Sequence, residues 1–174
     1  MVTTRRRFAA LSAALSVGVT LAAAAPWAAA LDTPPGKVVL SVTGNVPAAQ
    51  AGGHADFDMA MLEKLPQHSF TTATPWYPKP RTFTGPLLRD VLAAAGAKGA
   101  LLRAIALNDY KIEIPAGDAD KFDMIVARLL DGQPMPVREK GPLFIVYPFD
   151  SSAELRSERY YSRSAWQLRT LEVK

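Results

Sequence analysis

Cysteine is absent from all 174 residues, which removes both the thiolate nucleophile and the thiolate metal ligand from the chemistry open to this chain. His54, Asp56 and Asp58 stand two apart and would gather a metal ion only along an extended backbone. Asp56 reads instead as the cap of a short helix. With His68 the only other histidine, the set falls short of a zinc site. No Gly-x-Ser-x-Gly elbow, phosphate-binding Gly-Lys-Ser/Thr loop or dinucleotide fingerprint occurs, and Ser, His and Asp are scattered without the spacing of a hydrolase. Binding chemistry is better represented. Thr71 to Thr84 carries Pro75, Pro78 and Pro80 around Trp76 and Tyr77 and ends near Arg81, a composition that predicts a rigid, shaped loop. The run Arg156 to Arg163, with Glu158, Tyr160 and Tyr161 mixed in, carries both signs of charge; it reads as solvated surface and as the best candidate for a protein contact.

The elements that must position these residues follow from periodicity. Val38, Leu40 and Val42 alternate and stop at Gly44-Asn45, which predicts a strand ending in a turn. Asp56 begins a short helix with Phe57, Met61, Leu62 and Leu65 on one face before Pro66. Pro86 sits in the first turn of a second helix bearing Leu87, Leu88, Val91, Leu92 and Ala95, closed by Gly96. From Leu101 the period becomes two. A strand runs to Leu107, Asn108-Asp109 turns, and Tyr110, Ile112 and Ile114 alternate with Lys111 and Glu113 until Pro115. Met124 to Leu130 reads as one strand, Asp131-Gly132 as a two-residue hairpin turn, and Gln133 to Val137 as its return. Leu143 to Tyr147 is a buried strand before Pro148, and Trp166 to Val173 closes the chain. Two early helices followed by many strands predict an α+β, sheet-dominated fold.

The amino terminus reads as an export signal. Arg5, Arg6 and Arg7 precede an apolar run from Phe8 to Ala25, and Ala28-Ala29-Ala30 offers a cleavage site, so residues 1–30 are expected to be a signal peptide and 31–174 one mature domain. Thr4-Arg5-Arg6-Arg7-Phe8 fits a twin-arginine signal as well as an ordinary one. The apolar run is rich in small residues and followed by Pro26, which argues against a permanent membrane helix. The chain has 20 Lys and Arg against 16 Asp and Glu; with the three signal arginines removed the balance is close to neutral, which gives no reason to expect nucleic acid. A soluble periplasmic protein is the expectation, without membrane insertion of the mature chain.

The order of elements resembles the molybdopterin-binding domain of the sulfite oxidase family, in particular its small stand-alone periplasmic members. The resemblance is carried by Phe83-Thr84-Gly85-Pro86-Leu87-Leu88-Arg89-Asp90-Val91-Leu92, then Asn108-Asp109-Tyr110-Lys111-Ile112-Glu113-Ile114-Pro115. Asp131-Gly132-Gln133-Pro134-Met135 leading to Gly141-Pro142-Leu143, and the terminal Trp166-Gln167-Leu168, complete it. It implies a sulfite oxidase-like, mostly mixed β-sheet with short helices. Catalytic members hold molybdenum through one cysteine a few residues before a tryptophan. Thr72 falls at that position here and Trp76 matches the tryptophan. A threonine hydroxyl stays protonated at neutral pH and is a poor ligand for such a metal, so the departure argues against molybdenum redox chemistry.

What the resemblance leaves is the pterin itself as ligand. A pterin is a flat bicycle with an amino and N–H edge beside a carbonyl, and it asks for an aromatic face, a carboxylate acceptor and a few donors. Trp76 is the first choice for the stacking wall, or else it plugs the core. Asp109 can accept from the amino edge or serve only its turn. Tyr110, at the start of a strand, is a candidate ligand contact, or else belongs to the core or the rim. Arg81 can donate to the carbonyl edge or to a phosphate, or stay solvated. Thr72 and Thr74 offer hydroxyls beside the vacated metal position, or satisfy their own backbone. Phe149 and Asp150 form a second lip of the pocket or an ordinary strand exit. The expected function is a periplasmic, non-redox pterin- or molybdopterin-binding module acting on a membrane sensor protein. The alternatives are a molybdopterin-dependent oxidoreductase subunit, and an adaptor that has lost its ligand.

Overall fold

The computed structural model describes residues 31–47 and 52–174; the signal-peptide reading concerns residues 1–30 and lies outside them. The chain opens with β1 (Val38–Gly44), β2 (Ala55–Asp58) and α1 (Met59–Lys64). It continues with β3 (Gln67–Thr72), β4 (Arg81–Pro86), α2 (Leu88–Ala94), β5 (Leu101–Ala106), β6 (Lys111–Pro115) and α3 (Gly117–Lys121). Then come β7 (Ile125–Ala127), β8 (Leu129–Leu130), β9 (Gln133–Pro134), β10 (Phe144–Val146), α4 (Glu158–Arg163) and β11 (Leu168–Val173). Among the described residues no helix is long and apolar enough to cross a membrane.

These elements make an α+β fold of three sheets. The largest has the order β2-β1-β11-β5-β6, with a four-stranded sheet β3-β4-β8-β9 and a pair β10-β7. The closing strand β11 inserts between β1, to which it runs parallel, and β5, to which it runs antiparallel. Alternation drives this sheet: Leu40, Val42, Leu102, Ala104, Leu168 and Leu171 are at most 1% exposed and line one core. On α2 the spacing of Leu88, Val91 and Ala95 puts three buried residues on one face. Gly96, at φ 64, then lets the chain leave the helix, with the Ala97 N–H bonded back to Leu92 O.

Gly85 is set by tertiary packing rather than by any turn. A Cβ at this position would lie 2.0 Å from Val126 O, so the absence of a side chain is what allows β4 to approach β7. Gly85→Ala is expected to lower stability by about 3 kcal/mol, the upper part of the range for overpacking. Urea unfolding measures it, and an unchanged midpoint would show that the strands have room to part.

Several local expectations are corrected. The helix after residue 55 is capped by Asp58, whose Oδ1 accepts from Met61 N at 2.8 Å and whose Oδ2 accepts from Gly36 N at 2.7 Å. Asp56 instead lies in β2 and accepts from Ser41 Oγ at 2.6 Å. Ala55 and Phe57 are both buried, and their period of two outcompetes the helical spacing read from Phe57 onward. The expected loop from Thr71 to Thr84 shrinks to residues 73–80, because β3 and β4 pair antiparallel over their whole length. Pro86 ends β4 instead of opening α2. Met124 to Leu130 divides into β7 and β8, which belong to different sheets, with Arg128 between them giving its N–H to Thr84 O. The hairpin return reaches only Pro134, and Val137–Glu139 is a 3-10 turn.

Candidate aromatic cleft

A cleft of about 450 Å³ opens where four segments converge. The 73–80 loop supplies Pro75 and Trp76, and the turn joining β5 to β6 supplies Asn108 and Tyr110. Helix α4 supplies Glu158, Tyr161 and Ser162, and the approach to β11 supplies Ser164, Ala165 and Trp166. Glu158 is the one charged side chain in this lining.

Trp76 is the centre of the arrangement. Its ring stands edge-to-face against Phe144 at 5.3 Å and Trp166 at 5.6 Å, and against Phe149 and Tyr161 at 6.1 Å each. Such contacts are favoured by the ring quadrupoles and fix ring orientation. Trp166 is fixed in its turn: it bridges Phe144 on β10, and Lys140 holds its ammonium 4.6 Å from the Trp166 ring centroid.

Both ends of the 73–80 loop are tied. At the first, Thr72 Oγ1 accepts from Asp150 N at 3.0 Å while Asp150 Oδ2 accepts from Ala73 N at 2.7 Å. At the second, Asp131 accepts from Thr82 N at 2.9 Å and pairs with Arg81, whose guanidinium lies 5.1 Å from the Tyr77 ring centroid. Asp131 and Gly132 take φ 48 and 78, as a two-residue hairpin turn requires. The Thr82 N–H, and after it the Arg81 guanidinium, hold the Asp131 carboxyl below its ordinary range. A carboxyl lowered in the folded state stabilises above its unfolded pKa, about 3.9, and ceases to do so as pH falls through the folded value. Asp131→Asn is therefore expected to be less stable than the parent near neutrality, with the difference closing under acid. Thermal melts across that range test it; a constant difference would place the effect elsewhere.

Helix α4 is held from behind. Asp118 Oδ2 accepts from Arg163 Nη1 and from Tyr147 Oη, both at 2.8 Å. Burial first, then the hydrogen bond to Asp118, pushes the Tyr147 phenol far upward, so it remains a donor. Next to this, Glu154 accepts from Lys121 and from Tyr160 Oη, each at 2.8 Å. The hydrogen bond from Lys121, followed by that from Tyr160, lowers the Glu154 carboxyl.

Of the residues singled out in the sequence, Trp76 and Tyr110 come together in the cleft. Thr72 is 1% exposed, and its hydroxyl closes the loop clamp with Asp150. Phe149 is fully buried and backs Trp76 from the core. Thr74 Oγ1 and Tyr77 Oη are both buried without a hydrogen-bond partner. Arg81 is engaged by Asp131 and Tyr77. Asp109 takes φ 64 in its turn and pairs with Arg169 at 2.8 Å, outside the lining. His54 Nε2 and Asp56 approach to 3.2 Å, while both oxygens of Asp58 serve backbone amides. The run from Arg156 to Arg163 is not simply solvated surface: Tyr160 is 4% exposed, and helical spacing turns Glu158, Tyr161 and Ser162 toward the cleft. These three and Trp166, along with Pro75, Asn108, Ser164 and Ala165, line the cleft without having been singled out in the sequence as site residues. The available signal was the concentration of aromatics in 160–166, far from Trp76 along the chain.

No family model matches the sequence, and no curated protein matches it. Among solved structures, the sulfane dehydrogenase SoxCD from Paracoccus pantotrophus superposes with a TM-score of 0.58 at 19% identity, covering 77% of this chain and 37% of that one. The chain thus spans little more than a third of the protein it resembles. The likeness is one of fold, and it gives the three-sheet α+β arrangement a sulfite oxidase-like architecture.

Proposed function

We propose that this chain is a non-redox pterin-binding module whose ligand lies in the cleft between Trp76, Tyr110, Tyr161 and Trp166. The observation that carries this reading is the composition of the lining: aromatic side chains on several sides and a single carboxylate, Glu158. A pterin needs a π-surface to lie against and an acceptor for its amino and N–H edge. Asn108, Ser162 and Ser164 add polar groups to the same walls.

The residues present do not fit a thiolate-held molybdenum. The chain has no cysteine, and the hydroxyl of Thr72, where the metal ligand of the resembled family would stand, is spent on the Asp150 N–H. The module is proposed to act in the periplasm after export of the precursor, reporting occupancy to a membrane signalling partner. A receptor of this kind works only if its free and bound states meet that partner differently.

The test is quenching of tryptophan fluorescence in the purified protein by 6-hydroxymethylpterin. Saturable quenching is expected. Glu158→Gln should weaken binding by roughly tenfold or more, as for loss of one hydrogen bond to a charged group. Absence of quenching at every concentration sinks the reading. Stoichiometric molybdenum in protein purified from its own source would replace it with an oxidoreductase subunit.

A further inference from the structure

We propose that β3 is a pairing edge for a second copy of this chain, joining two β3-β4-β8-β9 sheets across a two-fold axis at Phe70. The inference is independent of the pterin reading.

Sheet edges are templates for further strands unless they are short, bulged, charged, interrupted by proline or covered. The other edges of the two larger sheets are protected in these ways. Strand β2 has four residues, and its pairing with β1 shifts register between Val38 and Leu40. Strand β6 carries Lys111, Glu113 and Pro115, and β9 is two residues ending in Pro134. Strand β3 has none of these features. Gln-His-Ser-Phe-Thr-Thr contains no Asp, Glu, Lys, Arg or Pro, and it pairs with β4 through six consecutive positions without a shift.

The groups left open on that edge can be assigned. Thr82 and Thr84 direct their carbonyls toward β8, accepting from Asp131 N and Arg128 N. Neighbouring residues of a strand point their amides to opposite sides, so Phe83 and Gly85 face β3. Their register partners, Phe70 and His68, therefore bond inward, and Ser69 and Thr71 turn their N–H and C=O groups outward. The side chains agree: Ser69 with Thr84 and Thr71 with Thr82 each share a hydroxyl hydrogen bond at 2.8 Å, the close spacing of non-hydrogen-bonded pairs. Ser69 and Thr71 give no backbone bond beyond β4 among the described residues.

This pattern is self-complementary. In an antiparallel two-fold pairing centred on Phe70, Ser69 of each copy meets Thr71 of the other, and the outward amides and carbonyls of both are satisfied. Phe70 then lies opposite its own counterpart on the core-facing side. A groove of about 320 Å³ lies beside this strand, lined by His68, Ser69, Phe70, Phe122, Pro148 and Ser151 together with one charge of each sign, Lys121 and Asp123. A two-fold axis sets each strand against itself, so any charged side chain near the axis would meet a like charge. The strand has none.

Sedimentation of the purified protein over a concentration series tests the pairing. The parent is expected to shift from monomer to dimer as concentration rises. Ser69→Lys with Thr71→Lys, and separately Ser69→Glu with Thr71→Glu, set like charges across the junction, and each should remain monomeric with an unchanged circular dichroism spectrum. Mixing the two variants pairs Lys with Glu at every Ser69–Thr71 contact and should restore dimer. A parent that stays monomeric at its highest soluble concentration overturns the proposal, as does a dimer that persists in the lysine variant. A mixture that fails to re-associate overturns the register.

Discussion

Trp76→Ala is expected to lower the stability of the domain by about 3 kcal/mol and to abolish pterin binding in the fraction that remains folded. The stability figure is the lower end of the range for truncating a buried tryptophan, because this ring is only partly buried. It nonetheless loses contacts with Phe144, Phe149, Tyr161 and Trp166 together. The sequence left open whether Trp76 is a wall of the site or a plug of the core. The geometry packs its edges among aromatic rings and leaves a surface lining the cleft, so both readings predict an effect of its removal. Urea unfolding gives the first quantity and a 6-hydroxymethylpterin titration under native conditions the second. Trp76→Phe separates them: it fills part of the aromatic cluster and should recover more stability than affinity. Retained affinity in a destabilised Trp76→Ala protein would move the stacking wall to Tyr161 or Trp166.

The second large effect lies behind α4. Asp118→Ala is expected to cost about 3 kcal/mol, as when one partner of a largely buried ion pair is removed. The side chains of Asp118 and Arg163 retain only 12% and 21% of their exposure, so the Arg163 guanidinium and the Tyr147 hydroxyl would be stranded with little water to replace the carboxylate. Removing the stranded groups as well should reverse most of the loss, because the dominant penalty is the unpaired charge rather than the missing attraction. The triple change Asp118→Ala, Tyr147→Phe, Arg163→Met is therefore expected to be clearly more stable than Asp118→Ala alone. Denaturant midpoints decide this. Equal losses in the single and triple variants would mean that packing, not the unpaired charge, sets the cost. Arg163 ends the helix that carries Glu158, Tyr161 and Ser162, so Asp118→Ala should also weaken ligand affinity through α4, without touching the cleft.

Much of the local structure was legible in the chain. Alternation located β1, β5 and β6, and a continuous apolar run located β10; Asn108-Asp109 and Asp131-Gly132 marked turns whose first or second residues do take positive φ; and the apolar face of α2 appeared at its proper spacing. Lack of cysteine removed thiolate donors before any coordinates were needed. These are properties of residues within a few positions of one another, where propensity and period act directly. The misreadings arose where two local signals competed. Asp56 and Asp58 are equally good caps, and the choice fell to whichever residue β2 left at its end. The prolines between Thr71 and Thr84 point to a loop over the whole stretch, but its threonines are good strand residues and pair across the hairpin.

The site itself belongs to the tertiary structure. Trp76, Tyr110 and the stretch from Glu158 to Trp166 are separated by tens of residues, and no spacing rule connects the three segments. They converge because the closing strand β11 inserts between β1 and β5, bringing Trp166 beside β10 and the 73–80 loop. Thr72 shows the same division from the other side. Its residue type, read from the sequence, already ruled out a thiolate. Only the fold shows what the hydroxyl does instead, bonding to an amide 78 positions away and tying down the loop that carries Trp76. Residue chemistry is fixed by type, whereas its use depends on which long-range neighbours the packed core brings within hydrogen-bonding distance.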